Sequence, residues 1–152
     1  SQILLGIPTA GAMFFATKAA KKLGGMKNVL VLASFVNILF RAVAYLSLTA
    51  VGGFTVALCA SGEEALAQAE AFAPDLLLLD VMMPGMDGPA TLAALRAKPA
   101  LAGVPALFMT AKVQPQEVAH YRDLGAADVL PKPFDPMALP GQLRALWERL
   151  HG

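Results

Sequence analysis

A carboxylate, a hydroxyl and an ammonium close three apolar runs in this 152-residue chain. Asp80 follows Leu76-Leu77-Leu78-Leu79, Thr110 follows Val104 to Met109, and Lys132 stands just after Asp128-Val129-Leu130. Brought together, the three could carry phosphoryl chemistry. A phosphoryl group on Asp80 would be met by the Thr110 hydroxyl and neutralised by Lys132, while small Ala111 leaves access to the carboxylate. Singly they say little. An Asp after four leucines ends a strand, and Val81-Met82-Met83-Pro84-Gly85-Met86-Asp87-Gly88 reads as the turn that follows it. The chemistry needs a fold that gathers strand ends on one rim.

The pattern along the chain predicts such a fold. Strand candidates are residues 3–7, 29–32, 54–59, 76–80, 104–109 and 128–130. Between and after them lie helix candidates at 10–23, 35–51, 62–73, 88–97, 114–124 and 135–150, with Gly, Pro or Ser at most joints. Thr9 can cap the first helix, and Ser61-Gly62-Glu63-Glu64 opens another with acids in its first turn. Regular alternation of strand and helix argues for a parallel sheet covered on both faces, an α/β doubly wound sandwich of three layers. In such sheets the C-terminal strand ends form the reactive edge. Ala33-Ser34, Asp80, Thr110-Ala111 and Lys132-Pro133-Phe134 would all meet there.

Composition narrows the classes. Hydrophobic residues make up 57% and charged residues 15%, with a mean hydropathy of +0.58, which is apolar for a single domain. The net charge of +1 implies no nucleic-acid partner, but it hides an asymmetry. Residues 1–50 hold Lys18, Lys21, Lys22, Lys27 and Arg41 and no acid, while residues 51–152 set seven bases against eleven acids, a net −4. The lone Cys59 cannot form an internal disulfide and fits a reducing, cytoplasmic compartment. Met26-Lys27-Asn28 looks like a start in front of a strand, so residues 1–25 are expected to be an added strand–helix unit and residues 26–152 the core, together one domain.

Residues 26–152 resemble a response-regulator receiver domain of two-component systems, of the chemotaxis-regulator type. Asp80 to Gly88 matches the family's Asp-x-x-Met-Pro-x-Met-Asp-Gly turn, Thr110-Ala111 its Thr-Ala, and Lys132-Pro133-Phe134 its Lys-Pro-Phe with a cis peptide before the proline. Ala60 to Leu66 resembles its second-helix opening. The resemblance implies a flavodoxin-like fold with five strands ordered 2-1-3-4-5, to which residues 3–7 would add a sixth at an edge. It implies that Asp80 accepts a phosphoryl group from a histidine kinase or a small phosphodonor. It also implies Mg²⁺ held by Asp80, the Met82 backbone carbonyl and an acidic pair after the first receiver strand.

Three departures bear on that activity. Ala33 and Ser34 stand where the acidic pair belongs, and Mg²⁺ wants several hard oxygen ligands. Without the metal the transferring group lacks its main counter-ion, so phosphorylation of Asp80 is expected to be absent or severely slowed. Val129 stands where the family often has a switch Tyr or Phe. The helix at 35–51 is apolar over most of its girth, with only Asn37, Arg41, Tyr45 and Thr49 as a polar stripe, so it must be covered on more than one side. Residues 1–25 or a second copy would supply that cover, the latter making a homodimer. The first βα unit thus reads as rebuilt for structure, by design or by drift, in an effectively structural or engineered scaffold rather than an enzyme.

Rival readings are an active receiver and a membrane-anchored one through residues 29–60. Against a span, Asn37 and Arg41 fall in its middle and Gly52-Gly53 breaks it. Gly6-Ile7-Pro8-Thr9-Ala10-Gly11 lacks the Gly-Lys-Ser/Thr ending of a phosphate loop. His120 and His151 read as surface residues, and Trp147 as packing.

Overall fold

A computed structural model of the chain describes residues 25–34 and 38–151. The strand and helix predicted at 3–7 and 10–23 lie outside the described residues, as do the first three positions of the helix predicted at 35–51.

Five parallel strands form the sheet: β1 (Asn28–Leu32), β2 (Thr55–Cys59), β3 (Leu76–Asp80), β4 (Ala106–Thr110) and β5 (Asp128–Pro131), in the order β2-β1-β3-β4-β5. The helices are α1 (Ile38–Leu46), α2 (Gly62–Phe72), α3 (Gly88–Arg96), α4 (Pro115–Asp123) and α5 (Leu139–His151). This is the doubly wound flavodoxin-like arrangement the alternation predicts. All residues of β1, β3 and β4 are buried, whereas edge strands β2 and β5 are partly exposed. Runs such as Leu76 to Leu79 show no polar alternation because both faces of a central parallel strand are covered.

Side-chain alternation splits the core in two. Leu30, Leu32, Leu77, Leu79 and Phe108 point to the face covered by α2 and α3, where Ala65, Ala69, Phe72, Leu92 and Leu95 meet them. Val29, Val31, Leu76, Leu78 and Met109 point to the other, where Leu48, Leu139, Leu143 and Leu146 close over them. Each fully buried leucine is worth roughly 1.5–3 kcal/mol in apolar burial. Continuing the alternation, Asp80 falls on the α1–α5 side.

Boundaries shift where local chemistry outweighs pattern. β4 begins at Ala106 rather than Val104 because Pro105 has no N–H for the ladder, although its carbonyl accepts from the Leu77 amide at 2.9 Å. A 3₁₀ turn, Pro99–Leu101, precedes it. α5 starts at Leu139 rather than near Asp135, whose carboxylate and carbonyl hold the turn ahead of it by accepting from the amides of Met137, Ala138 and Leu139. The helix predicted to run to Val51 is α-helical only to Leu46. It widens into a π turn, Ser47–Val51, where the Ser47 hydroxyl donates to Pro136 O at 2.5 Å and Thr49 Oγ1 to Tyr45 O at 2.7 Å. Ser61 caps α2 by accepting from the Glu64 amide, and Glu64 reaches back to the Ala60 amide at 2.7 Å.

β1 is fixed at its start by Asp75, whose Oδ2 accepts from the amides of Lys27 (3.0 Å) and Asn28 (2.9 Å), while Asn28 Nδ2 donates to Phe72 O. The cover expected over α1 is one-sided. Ile38, Leu39 and Leu46 remain 62%, 73% and 58% exposed.

Candidate functional site

Asp80 ends β3 next to Met109 of β4, and Met109 pairs with Leu130 of β5. Thr110 is one residue beyond Met109, and Lys132 two beyond Leu130, so the three predicted residues do reach one rim. The parallel register explains it, since each is the last or next residue of adjacent strands. Asp80 is only 2% exposed, and its Oδ1 accepts from Lys132 Nζ at 2.8 Å. Lys132 Nζ also lies 4.6 Å above the Phe40 ring of α1, and Phe40 meets Phe134 edge-on at 5.2 Å between centroids. The ammonium is therefore held by a carboxylate and an aromatic face together. The Lys132–Pro133 peptide is cis, and the Lys132 amide donates to Thr110 O at 2.9 Å. Thr110 is buried, its hydroxyl accepting from the Lys112 amide at 3.1 Å. Ala111 is exposed and opens the way to the pair.

The turn after Asp80 is built to stay close. Val81 donates to Met109 O and accepts from the Gly88 amide at 3.1 Å, folding the turn back onto the strand end. A side chain at Gly88 would run into the Asp80 carbonyl and Val81 Cα, so only glycine fits there. Gly85 supplies a left-handed bend (φ 74°), and Asp87 caps α3 through the Ala90 amide at 2.8 Å. Met82, whose backbone carbonyl is a candidate metal ligand, is 72% exposed.

On the β1 side, Ala33 directly follows the Leu32–Leu79 pairing, which sets it level with Asp80, and Ser34 comes one residue beyond. Both are buried, and neither has a carboxylate. Arg41 has a part that its place in a polar stripe did not reveal. Its Nη1 donates to Ala33 O at 2.5 Å and to Cys59 O at 3.1 Å, clamping the ends of β1 and β2. The sequence held one signal for this, an arginine as the only charge between Val29 and Ala60. Burial raises the Cys59 thiol to about 12, with nearby Glu64 adding and Arg41 opposing, so this sulfur is an inert core group.

Comparison with known proteins defines the class. The response regulator receiver domain model matches residues 37–144, and the chain belongs to that family. It is 39% identical over 97 residues to the DNA-binding response regulator MtrA of Mycolicibacterium paratuberculosis, covering 64% of this chain and 42% of that protein. It is 37% identical over 97 residues to the alkaline phosphatase synthesis transcriptional regulatory protein PhoP of Bacillus subtilis, covering 64% of this chain and 40% of that one. The chain thus spans less than half the length of these relatives. Among solved structures, chemotaxis protein CheY4 of Vibrio cholerae superposes with a TM-score of 0.72 at 30% identity, over 80% of this chain and 99% of that one. The family match begins at residue 37, after β1 and after Ala33-Ser34.

Receiver domains take Mg²⁺ for phosphorylation. The donors here do not fit it. Among the described residues no three Asp, Glu, His or Cys side chains come together in a metal-ligand group. Asp80 is paired with Lys132, the Ala33 carbonyl receives a guanidinium, and Ala33 brings only a methyl. Two fixed cations, Lys132 and Arg41, serve the ends of neighbouring strands where a third, divalent one would have to enter.

Proposed function

We propose that this chain is a receiver module of two-component signalling in which Asp80 keeps the phosphoacceptor position but accepts phosphate poorly or not at all. The reading rests on one observation above others: Asp80 is held by Lys132 at 2.8 Å while the position level with it across β1 is Ala33, followed by Ser34. Transfer would require an Asp80 oxygen to attack phosphorus as the bond to the donor's imidazole or acetate breaks and that group departs with its electron pair. Lys132 would then have to pass from the carboxylate to a phosphoryl oxygen, and Thr110 to turn its hydroxyl from local bonding toward another. Nothing at Ala33-Ser34 offsets the charge that gathers on phosphorus.

The partner class in this reading is a histidine kinase or a small phosphodonor, as for receivers generally, and no nucleic acid is bound by this stretch. Residues 26–152 form the receiver core, 1–25 an added unit, and the first βα unit is one rebuilt by drift or design. The module acts as a scaffold rather than as an enzyme, in the cytoplasm. Val129 lies on β5, half-buried and without a ring, so a phosphorylated chain would have little there to report the change. A membrane span through residues 29–60 has no support in the fold, where this stretch makes β1, α1, the π turn and β2, and among the described residues no helix is long and apolar enough to cross a bilayer.

Labelling with acetyl phosphate, with and without Mg²⁺, tests the proposal. The unaltered chain should label weakly and without regard to metal. Ala33→Asp with Ser34→Asp should label on the order of a hundredfold faster with Mg²⁺, the scale on which one preorganised electrostatic group acts. Strong Mg²⁺-dependent labelling of the unaltered chain would establish the active-receiver reading instead.

A further inference from the structure

Between the first turns of α1 and the loop after β5 lies a cavity of about 480 Å³. Leu39, Phe40 and Val43 form one wall, and Ala111, Pro133 and Phe134 face them. Among the described residues Lys132 is the one charged member of the lining. The volume falls in the lower part of the range for ligand pockets, roughly 300–1,000 Å³. We propose that this cavity binds a small organic acid, its aryl or alkyl body between the two walls and its carboxylate on Lys132.

The charge that the cavity meets is the ammonium. Asp80, which accepts from Lys132 Nζ at 2.8 Å, has a side chain only 3% exposed and takes no part in the lining, whereas the lysine side chain is 23% exposed. Nζ has three N–H donors, and the bond to Asp80 Oδ1 uses one of them. A purely apolar guest would strip water from the others and leave them without an acceptor, which is unfavourable. A carboxylate supplies that acceptor in a charge-assisted hydrogen bond. An amine or guanidine would instead meet the ammonium as a like charge. Next in sequence to the lining, exposed Lys112 adds to the positive potential. Exposed Asp135 opposes it, with a carboxylate whose Oδ1 accepts from the Met137 amide at 2.9 Å. Arg41 of α1 turns its guanidinium to the Ala33 and Cys59 carbonyls.

The walls are set before a ligand arrives. Phe40 meets Phe134 edge-on at 5.2 Å between centroids, and Lys132 Nζ stands 4.6 Å above the Phe40 ring, so two rings and the ammonium hold one another. The loop that carries Pro133 and Phe134 is tied at both ends. The Lys132 amide donates to Thr110 O at 2.9 Å, and the Ser47 hydroxyl donates to Pro136 O at 2.5 Å. Such walls spare the ligand the ordering cost of a flexible site. Leu39, 73% exposed, marks the open side by which the apolar body enters.

Phenylacetate tests the site, with phenylacetamide as its uncharged twin, both followed by amide NMR shifts on the full chain. The acid should shift Val43, Ala111 and Phe134 saturably, with a Kd on the order of a millimolar, as about ten heavy atoms allow. The amide should bind at least about tenfold more weakly, the worth of one hydrogen bond between charged groups. Ala111→Phe fills the cavity from its exposed edge and should weaken the acid at least about tenfold. Lys132→Met should bring acid and amide to within about twofold of each other. Equal binding of acid and amide by the unaltered chain would overturn the proposal. So would the lack of saturation by about 20 mM, or acid shifts that survive Ala111→Phe unchanged. Should Lys132→Met fail to fold, the acid–amide comparison and Ala111→Phe decide. None of these readouts involves phosphate on Asp80, so the site stands or falls apart from the reading of that residue.

Discussion

The two sides of the rim hold their cations by different means. On the β3–β5 side Lys132 meets a carboxylate, that of Asp80, as Arg122 and Arg149 do on Asp128 at the opposite, entry end of β5, at 3.0 Å each. On the β1–β2 side Arg41 meets carbonyl oxygens, those of Ala33 and Cys59. A carboxylate can be protonated, phosphorylated or replaced by substitution, whereas a carbonyl can be none of these. The first side keeps groups that respond to their surroundings, and the second has become a fixed brace. The charge count told of this in advance, since residues 1–50 contain no acid.

Two substitutions on the carboxylate side should cost most. Phe108→Ala empties the face shared by α2 and α3 and should lower stability by about 3–5 kcal/mol in urea unfolding. A loss under 1 kcal/mol would mean that the sheet is not packed there as described. Lys132→Met leaves Asp80 buried without its ammonium and should cost about 2 kcal/mol, below the full range for buried pairs because the lysine is 23% exposed. Asp80→Asn in the same chain should restore most of it. An additive double-mutant cycle would show that the pair is not coupled.

On the brace side the effect should be smaller. Arg41→Leu removes the donor from two strand-end carbonyls and should cost about 1–2 kcal/mol, with no dependence on pH between 5 and 8. If the loss varied with pH across that range, Arg41 would be answering to a titrating group rather than to the two carbonyls, and the contrast between the two sides would fail.

Most of the fold was legible because the leucine-rich strands are buried on both faces and the turns between them carry Gly, Pro or a capping Ser. The site residues were legible for the same reason, as the last or next residues of adjacent parallel strands. What escaped were contacts between elements distant in sequence. The π turn at Ser47–Val51 accompanies a hydroxyl bonded to Pro136 O, 89 residues away, and no local propensity announces that. Arg41 read as one polar residue of a stripe because its targets are backbone carbonyls, which have no signature in side-chain patterns. The cover expected on more than one side of the apolar helix at 35–51 came from treating hydrophobicity as burial. Among the described residues α1 buries only Ala44 fully and leaves its outer face open.

The finest test of the contrast lies at the entrance to β5. Burial pulls the Asp128 carboxyl upward, but the Val129 amide and the guanidinium groups of Arg122 and Arg149 outweigh it and hold the group below the ordinary carboxylate range. A carboxyl with a lowered folded pKa binds protons more tightly in the unfolded chain. Its contribution is therefore complete above the unfolded value of about 3.9 and fades as pH falls through the lower folded one. Both arginines are largely exposed, so the contribution should be only about 0.5 kcal/mol. Asp128→Asn should then lose that much at pH 7 and progressively less below pH 4, where the unaltered chain protonates the same group. Adding 0.5 M salt should shrink the difference at pH 7, because exposed pairs are screened, while the Arg41→Leu deficit stays put. A difference that grew on acidification would reverse the sign of the linkage and show that Asp128 is destabilised by its surroundings rather than held by them.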